Sequence, residues 1–174
     1  MAVRPILIYP NPRLREVAEP VAEVNDEIKR LVDDLAETMY AAPGIGLAAP
    51  QVGVSKRVFV IDTATGDGEP PRLMVFINPR FIEKTGELSW DEGCLSFPDI
   101  HEEIVRAERV VVQALDREGQ LYEVEAEGLP AVALQHENDH LEGTLIVDHV
   151  SFFKRRRIDR ELKKRAKQDA DEKT

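Results

Sequence analysis

LPAVALQHENDHLEG, residues 129–143, predicts the helix around which we expect the rest of the chain to fold. Pro130 is favoured in the first turn of a helix, and Gly143 is typical of a helix end. Helical spacing places Leu129, Val132, Ala133, His136 and then His140 along one face. Because most of this face is apolar, the sequence predicts a buried helix at the centre of the fold.

Within this helix, residues 136–140 match the H-E-x-x-H pattern. Residues four apart lie above one another on a helix, so His136 and His140 can reach one metal ion. Glu137 lies about 100° further round, where its carboxylate addresses a water on the metal rather than the metal itself. The alternative is two structural histidines and a solvated Glu137. Burying a histidine pair without a partner is costly, which favours the metal site.

The third metal ligand decides the class of enzyme, because a catalytic metal of this kind usually has three protein ligands. Some zinc proteases continue the pattern with a further histidine, but Ile146 stands at that position and His149 comes three residues too late. A downstream glutamate would have to be Glu161, on a basic helix. These residues weaken the protease alternative.

Cys94 is the remaining candidate for the third ligand, and it is the one cysteine of the chain. A lone cysteine cannot form an internal disulfide and is most often a small core residue. Ser96 and Pro98 follow it and predict an irregular segment rather than a core strand. From the residues alone, the role of Cys94 stays open.

The remainder of the chain alternates between helix and strand signals. We expect a short turn capped by Asn11, a helix over 26–41, strands over 57–62 and 72–78, a hairpin of strands 108–116 and 120–126, and a helix over 152–166. The sequence thus predicts one α+β domain over residues 1–174. Short, mostly antiparallel sheets surround the central H-E-x-x-H helix, with N-terminal and C-terminal helices and a helical extension over about 151–174.

Composition excludes several classes of function. The 174 residues are 43% hydrophobic and carry a net charge of −10, which argues against DNA binding. The sequence contains no run of about 18 apolar residues, which a membrane span would need, and its first residues lack a signal-peptide pattern. We therefore expect a cytoplasmic protein with no membrane partner.

Three segments resemble the motifs of peptide deformylases: GIGLAAPQ (44–51), EGCLS (92–96) and QHENDHLEG (135–143). They occur in the order and spacing of that family, and the resemblance spans nearly the whole chain. It implies an enzyme that removes the formyl group from the N-terminal formylmethionine of nascent polypeptides and releases formate. We expect a monomer in a bacterial cytoplasm.

The resemblance also implies the catalytic groups. Cys94, His136 and His140 bind one divalent metal per chain, with Fe(II) as the native ion and zinc, nickel or cobalt as substitutes. Glu137 is the general base and acid for the water that attacks the formyl carbon. Gln51, otherwise an exposed loop amide, and the backbone N–H of Leu95 stabilise the oxyanion.

A second implied set of residues binds the substrate. Gly44 and Gly46 let the peptide backbone approach, rather than cradling a phosphate. The walls of the methionine pocket are Ile45, Trp90, Leu129, Val132 and Ala133, all of which could instead be ordinary core. Trp90 is larger than the usual residue before EGC, and the small Ala133 offsets it. Glu92 orients the neighbourhood of Cys94 or the pocket wall, and Arg106 faces the substrate or pairs with Glu92.

Two further possibilities remain at this point. The chain could be a binding module with a retired active site, although such proteins usually lose a ligand or the glutamate, and all four residues are present here. Residues 154–167, KRRRIDRELKKRAK, form a basic helix that is either a solvated face or a contact with ribosomal RNA.

Overall fold

The computed structural model describes residues 2–64 and 68–172, and in these the chain combines helices with two antiparallel sheets. The helices are α1 (Asp26–Ala41), α2 (Leu129–Leu141) and α3 (Phe152–Glu172). The strands are β1 (Gly46–Ala48), β2 (Val58–Ile61), β3 (Met74–Thr85), β4 (Leu88–Cys94), β5 (Phe97–Arg106), β6 (Arg109–Leu115) and β7 (Leu121–Glu127). Short 3₁₀ turns cover Pro12–Arg15, Ala49–Val52 and Ile146–Asp148. The predicted α+β class is confirmed.

The larger sheet has five strands in the order β1-β2-β3-β6-β7 and is covered on both faces. Along β2 the side chains alternate: Phe59 and Ile61 share a buried cluster with α2, whereas Val58 and Val60 share another with α1. Since both faces of this strand are buried, it is a continuous apolar run rather than an alternating one. The sheet therefore holds α2 in the interior of the fold, as the sequence predicts.

The smaller sheet is the β4–β5 hairpin, and α3 packs against it. Ile158 and Leu162 are the buried residues of α3, and they lie in one cluster with Phe97, Ile100 and Ile104 of β5. The ion pair between Arg157 and the buried Glu102 (3.1 Å) joins the same two elements. The C-terminal helix is thus docked on the strand that is paired with the Cys94 strand.

Several local predictions are confirmed, and others are wrong in an informative way. The helix over 26–41 and the Asn11-capped turn occur as expected. The irregularity expected at Cys94 is confirmed, because the register of the β4–β5 hairpin shifts between Gly93 and Cys94, but the strands on either side of it were not predicted. β5 was not predicted, because the charged residues Glu102 and Arg106 occupy two of its buried positions and interrupt the alternation of apolar and polar residues that indicates a strand. β1 was not predicted, β3 continues to Thr85, and α3 continues beyond 166 to Glu172.

No helix in the described residues combines the length and apolar character needed to cross a membrane.

Candidate active site

The three expected metal ligands converge at the end of β4 and the C-terminal half of α2. Cys94, the last residue of β4, places its Sγ 3.4 Å from Nε2 of His140. One ligand atom from each of Cys94, His136 and His140 lies within 4.8 Å of the others. Both imidazoles are almost fully buried. A thiolate and two imidazoles at this separation could hold one metal ion.

Contacts behind the ligands fix the orientation of His136. Its Nδ1 lies 2.8 Å from Oε1 of Glu92, which leaves Nε2 free to face the cluster. Arg106 donates two hydrogen bonds to Glu92, at 2.8 and 2.9 Å, and a third of 2.6 Å to Asp139. Burial raises the pKa of the Glu92 carboxyl, but the hydrogen bonds from Arg106 and His136 lower it by more, so the pKa lies below its ordinary value. Glu92 is therefore ionised beside the imidazole.

The electrostatics of the cluster suit a bound cation. Burial lowers the pKa of His140 well below its ordinary value, so this imidazole is in the neutral form that binds metals. Burial also lowers the pKa of His136, but Cys94 and Glu92 raise it well above the ordinary value. Negative charge is thus concentrated around His136, where positive charge is stabilised. The donor set and its charge both fit a divalent metal.

Glu137 is buried beside the ligands. Its Oε2 lies 4.0 Å from Nε2 of His136, and its Oε1 has no hydrogen-bond partner among the described residues. Burial raises the pKa of Glu137 to about 7, although the charge of His136 opposes the shift. A carboxyl group with such a pKa can both take and give a proton at neutral pH.

Gly46 provides the space that Glu137 occupies. A Cβ atom at position 46 would lie only 2.5 Å from Oε2 of Glu137. At Gly44 a Cβ atom would likewise lie 2.7 Å from Cδ1 of Leu95. The two glycines of the first motif are therefore required by close approach, to the carboxylate in one case and to Leu95 in the other.

Gln51 is not an exposed loop amide, since only 1% of it is exposed. Its Oε1 accepts a hydrogen bond from the backbone N–H of Ala48 (3.0 Å). Its Nε2 donates to Oγ of Ser96 (3.0 Å) and lies 3.7 Å from Sγ of Cys94. The side-chain amide is consequently held beside the ligand cluster with its N–H group directed toward it.

Two cavities open onto the cluster, and together they contain nearly all the expected substrate-binding residues. A cavity of about 80 Å³ is lined by His136 and Glu137 together with Ile45, Trp90, Glu92, Leu129, Val132 and Ala133. A cleft of about 670 Å³ runs past Gly44, Gly46, Gln51, Cys94 and Leu95. Arg106 is in the lining of neither cavity. The structure instead places it behind the ligands, paired with Glu92 and Asp139.

Comparison with known proteins agrees with this geometry. The sequence model of the family described as polypeptide deformylase matches residues 3–156. The chain belongs to this family. A peptide deformylase of Alkalilimnicola ehrlichii is 55% identical over 168 residues, which cover 97% of this chain and 93% of that one.

Solved structures give the same result. A peptide deformylase from Legionella pneumophila matches with a TM-score of 0.89 and 45% identity, covering 97% of this chain and 98% of that one. A peptide deformylase from Ehrlichia chaffeensis in complex with actinonin matches with a TM-score of 0.90 and 40% identity, over 95% and 98% of the two chains. The chain is thus a metal-dependent amide hydrolase that removes the formyl group from the N-terminal formylmethionine of nascent polypeptides.

Three residues of the site were not singled out from the sequence as contacts of the cluster. Ser96 holds Gln51, whereas Asp139 and His149 lie behind Arg106. Ser96 and Asp139 stand inside the recognised motifs, so the motifs themselves carried a signal for them. His149 had been considered only as a metal ligand, and its contact with Asp139 across ten residues depends on a turn that the sequence did not predict.

Proposed function

We propose that Cys94, His136 and His140 bind one divalent metal and that Glu137 moves the protons of the reaction. The observation that carries this proposal is the convergence of the three donor atoms, each within 4.8 Å of the others, beside a buried carboxyl with a pKa of about 7. Cys94, His136 and His140 would hold the metal, which would supply a water of lowered pKa, from ~15.7 toward ~7, and a Lewis acid for the substrate carbonyl.

Glu137 then acts as the general base and, after attack on the formyl carbon, as the general acid. It accepts the proton of the attacking water and passes it to the amine that leaves as the new N-terminus. Gly46 leaves room for this carboxylate, and Glu137 lines the same cleft as Cys94 and His136, where the peptide would lie.

The developing oxyanion is stabilised by the side-chain amide of Gln51 and the backbone N–H of Leu95. The contacts of Gln51 with Ala48 and Ser96 hold the amide in place before the substrate arrives, which is the condition for effective oxyanion stabilisation. The methionine side chain occupies the cavity walled by Trp90 and its neighbours, and the peptide backbone lies extended along the larger cleft.

For the metal, we propose Fe(II) as the native ion, with zinc, nickel or cobalt as substitutes. The resemblance to bacterial deformylases supports iron, and a donor set of one thiolate and two imidazoles accepts all four ions. Metal analysis of protein purified without oxygen tests this: iron near one per chain is expected, and zinc alone would contradict it.

The decisive experiment measures formate release from a short N-formylmethionyl peptide by the Fe(II)-loaded protein. Glu137→Gln should abolish release while the metal stays bound. Glu142→Gln is the matched control, because Glu142 lies at the end of the same helix but pairs at the surface with Arg57. If the parent chain carries one metal and releases no formate, or if Glu137→Gln retains its activity, the proposal is wrong.

We further propose that the enzyme is a cytoplasmic monomer of one domain whose α3 contacts ribosomal RNA. The basic residues of α3 fall into two groups. Four make ion pairs: Arg155 with Asp148, Lys154 and Arg157 with Glu102, and Arg165 with Asp99. The exposed residues Arg156, Arg160, Lys163, Lys164 and Lys167 follow helical spacing and form one outward stripe. A cationic stripe on a protein of net charge −10 suits phosphate contact.

This contact is tested by co-sedimentation with ribosomes over a range of salt concentrations. Replacing Arg160, Lys163 and Lys164 by Gln should weaken binding and lower the salt dependence by about 0.7–0.9 per lost phosphate contact. Arg165→Gln, which removes an intramolecular pair, is the control. Unchanged sedimentation of the triple variant would refute the contact.

A further inference from the structure

A chain of hydrogen bonds leads from one metal ligand to the surface behind it. Nδ1 of His136 lies 2.8 Å from Glu92, and Glu92 accepts two hydrogen bonds from Arg106. The remaining edge of the Arg106 guanidinium donates to Oδ2 of Asp139 at 2.6 Å. Nε2 of His149 lies 2.8 Å from the same oxygen. Five side chains from four parts of the fold are connected in this way.

Arg106 joins the two elements that carry the metal ligands. Glu92 lies on β4, two residues before Cys94 at the end of that strand. Asp139 lies on α2, immediately before His140. The guanidinium is a rigid planar fork, so binding a carboxylate on each element fixes the separation and the angle between them. The distance from the thiolate to the imidazoles therefore depends on this contact.

His149 closes the outer end of the chain. A cavity of about 390 Å³ borders Arg106, Asp139 and His149, so water can reach this end. The His149 side chain is 30% exposed, but its backbone follows the buried residues Ile146 and Val147. The ring is thus held over Asp139 by an anchored turn, where it supplies the second hydrogen bond to Oδ2.

We propose that Asp139 and His149 are positioning residues for the metal centre: they hold Arg106 in the orientation that keeps Glu92 on His136. This inference rests on the proposed function, since it requires that Cys94, His136 and His140 bind the metal. Without the Asp139 carboxylate, Arg106 has only Glu92 to orient it, and of the two links between β4 and α2 only the contact of Glu92 with His136 remains. Removing the outer contacts of a metal-binding histidine typically weakens metal binding about 10–100-fold.

The test compares Asp139→Asn, His149→Phe and His149→Gln with Asp148→Asn. Asp148 is the matched control: it is a neighbouring carboxylate with its own ion pair to Arg15 (2.5 Å) and no contact with Arg106 or Glu92, and Asn keeps an oxygen for the Leu145 N–H that Asp148 accepts in the turn before His149. Each protein is loaded with Co(II). The visible spectrum of the metal, its rate of release to a chelator and the thermal unfolding midpoint are measured, followed by kcat and KM.

Asp139→Asn should release Co(II) about tenfold faster, with an altered spectrum and a lower kcat at unchanged KM. His149→Phe should change the release rate in the same direction by less, and His149→Gln, which keeps an N–H donor, should restore it. Asp148→Asn should lose stability but release the metal at the parental rate.

Parental release rates and spectra in both Asp139→Asn and His149→Phe would overturn the inference while leaving the proposed function intact. If Asp139→Asn does not fold, His149→Phe decides alone, because it changes only a partly exposed ring. A parent chain that binds no Co(II) would instead overturn the proposed function, and this inference with it.

Discussion

A methyl group at position 46 would strike the catalytic base. The Cβ of Gly46→Ala would lie 2.5 Å from Oε2, 2.9 Å from Cδ and 3.0 Å from Cγ of Glu137, whereas ordinary contacts begin at 3.4 Å. The carboxylate must therefore retreat by about 0.9 Å, the difference between 2.5 and 3.4 Å. Glu137 is only 4% exposed, and the movement takes its carboxylate out of the position that it holds beside His136.

This displacement has a calculable effect on the rate. Misplacing a catalytic group by about 1 Å costs on the order of 10²-fold, or about 2.7 kcal/mol of activation free energy. Overpacking by one methyl group costs about 1–3 kcal/mol of folding stability. We expect Gly46→Ala to remain folded with its metal, and to lose activity chiefly through kcat.

The assay is formate release by the metal-loaded variant, with metal content and thermal unfolding measured on the same sample. The control is the double variant with Glu137→Ala. If the methyl group acts only by displacing the base, Gly46→Ala costs nothing further once the base is gone. Activity within threefold of the parent, or an equal loss in the Glu137→Ala background, would refute the reasoning.

Three other perturbations address the pocket, the buried ion pair and the pH dependence of stability. Glu92→Gln removes one of the two carboxylates paired with the buried Arg106 and leaves only Asp139, so urea unfolding should show a loss of about 3 kcal/mol, the lower end for a broken buried ion pair; a loss below 1 kcal/mol would contradict this. Trp90→Ile enlarges the 80 Å³ cavity, and kcat/KM for a formyl-phenylalanyl peptide relative to formylmethionyl should rise at least several-fold; an unchanged ratio would place Trp90 outside the specificity wall. Burial raises the pKa of Asp34, but the hydrogen bond from Arg4 (2.8 Å) holds it below its ordinary value of ~3.9. Its contribution to stability is present above pH ~4 and is lost as the pH falls through the lowered pKa, so Asp34→Asn should destabilise at pH 7 and converge with the parent in strong acid.

The sequence predicted the elements in which apolar residues lie on the buried face and polar residues on the exposed face. α1 has apolar residues on a single face, and its bounds are those expected from the spacing of Leu31, Leu35 and their neighbours. The β6–β7 hairpin has one solvent-exposed face and a turn at Arg117–Gly119, so it was also predicted. In such elements local pattern and tertiary burial agree, which is why a single sequence is sufficient.

The β4–β5 hairpin was not predicted, because the charged residues that support the metal site occupy positions where a strand pattern requires apolar ones. Glu92 and Arg106 face inward, where apolar residues would indicate a buried strand, and both are only 4–6% exposed. They are tolerated there because each satisfies the other, and the pair holds a metal-binding histidine. No periodicity rule identifies such a position, since the partners are 14 residues apart and the contact with His136 spans 44.

The contacts between the three motifs explain why the motifs occur together. Glu92 of the second motif holds His136 of the third, and Ser96 of the second holds Gln51 of the first. Gly46 of the first motif makes room for the base that the third supplies. A change in one motif therefore removes the support of a group in another, and it is not compensated within its own segment. For this reason one motif is a weak signal of the site, whereas the three in order specify both the reacting groups and the residues that hold them.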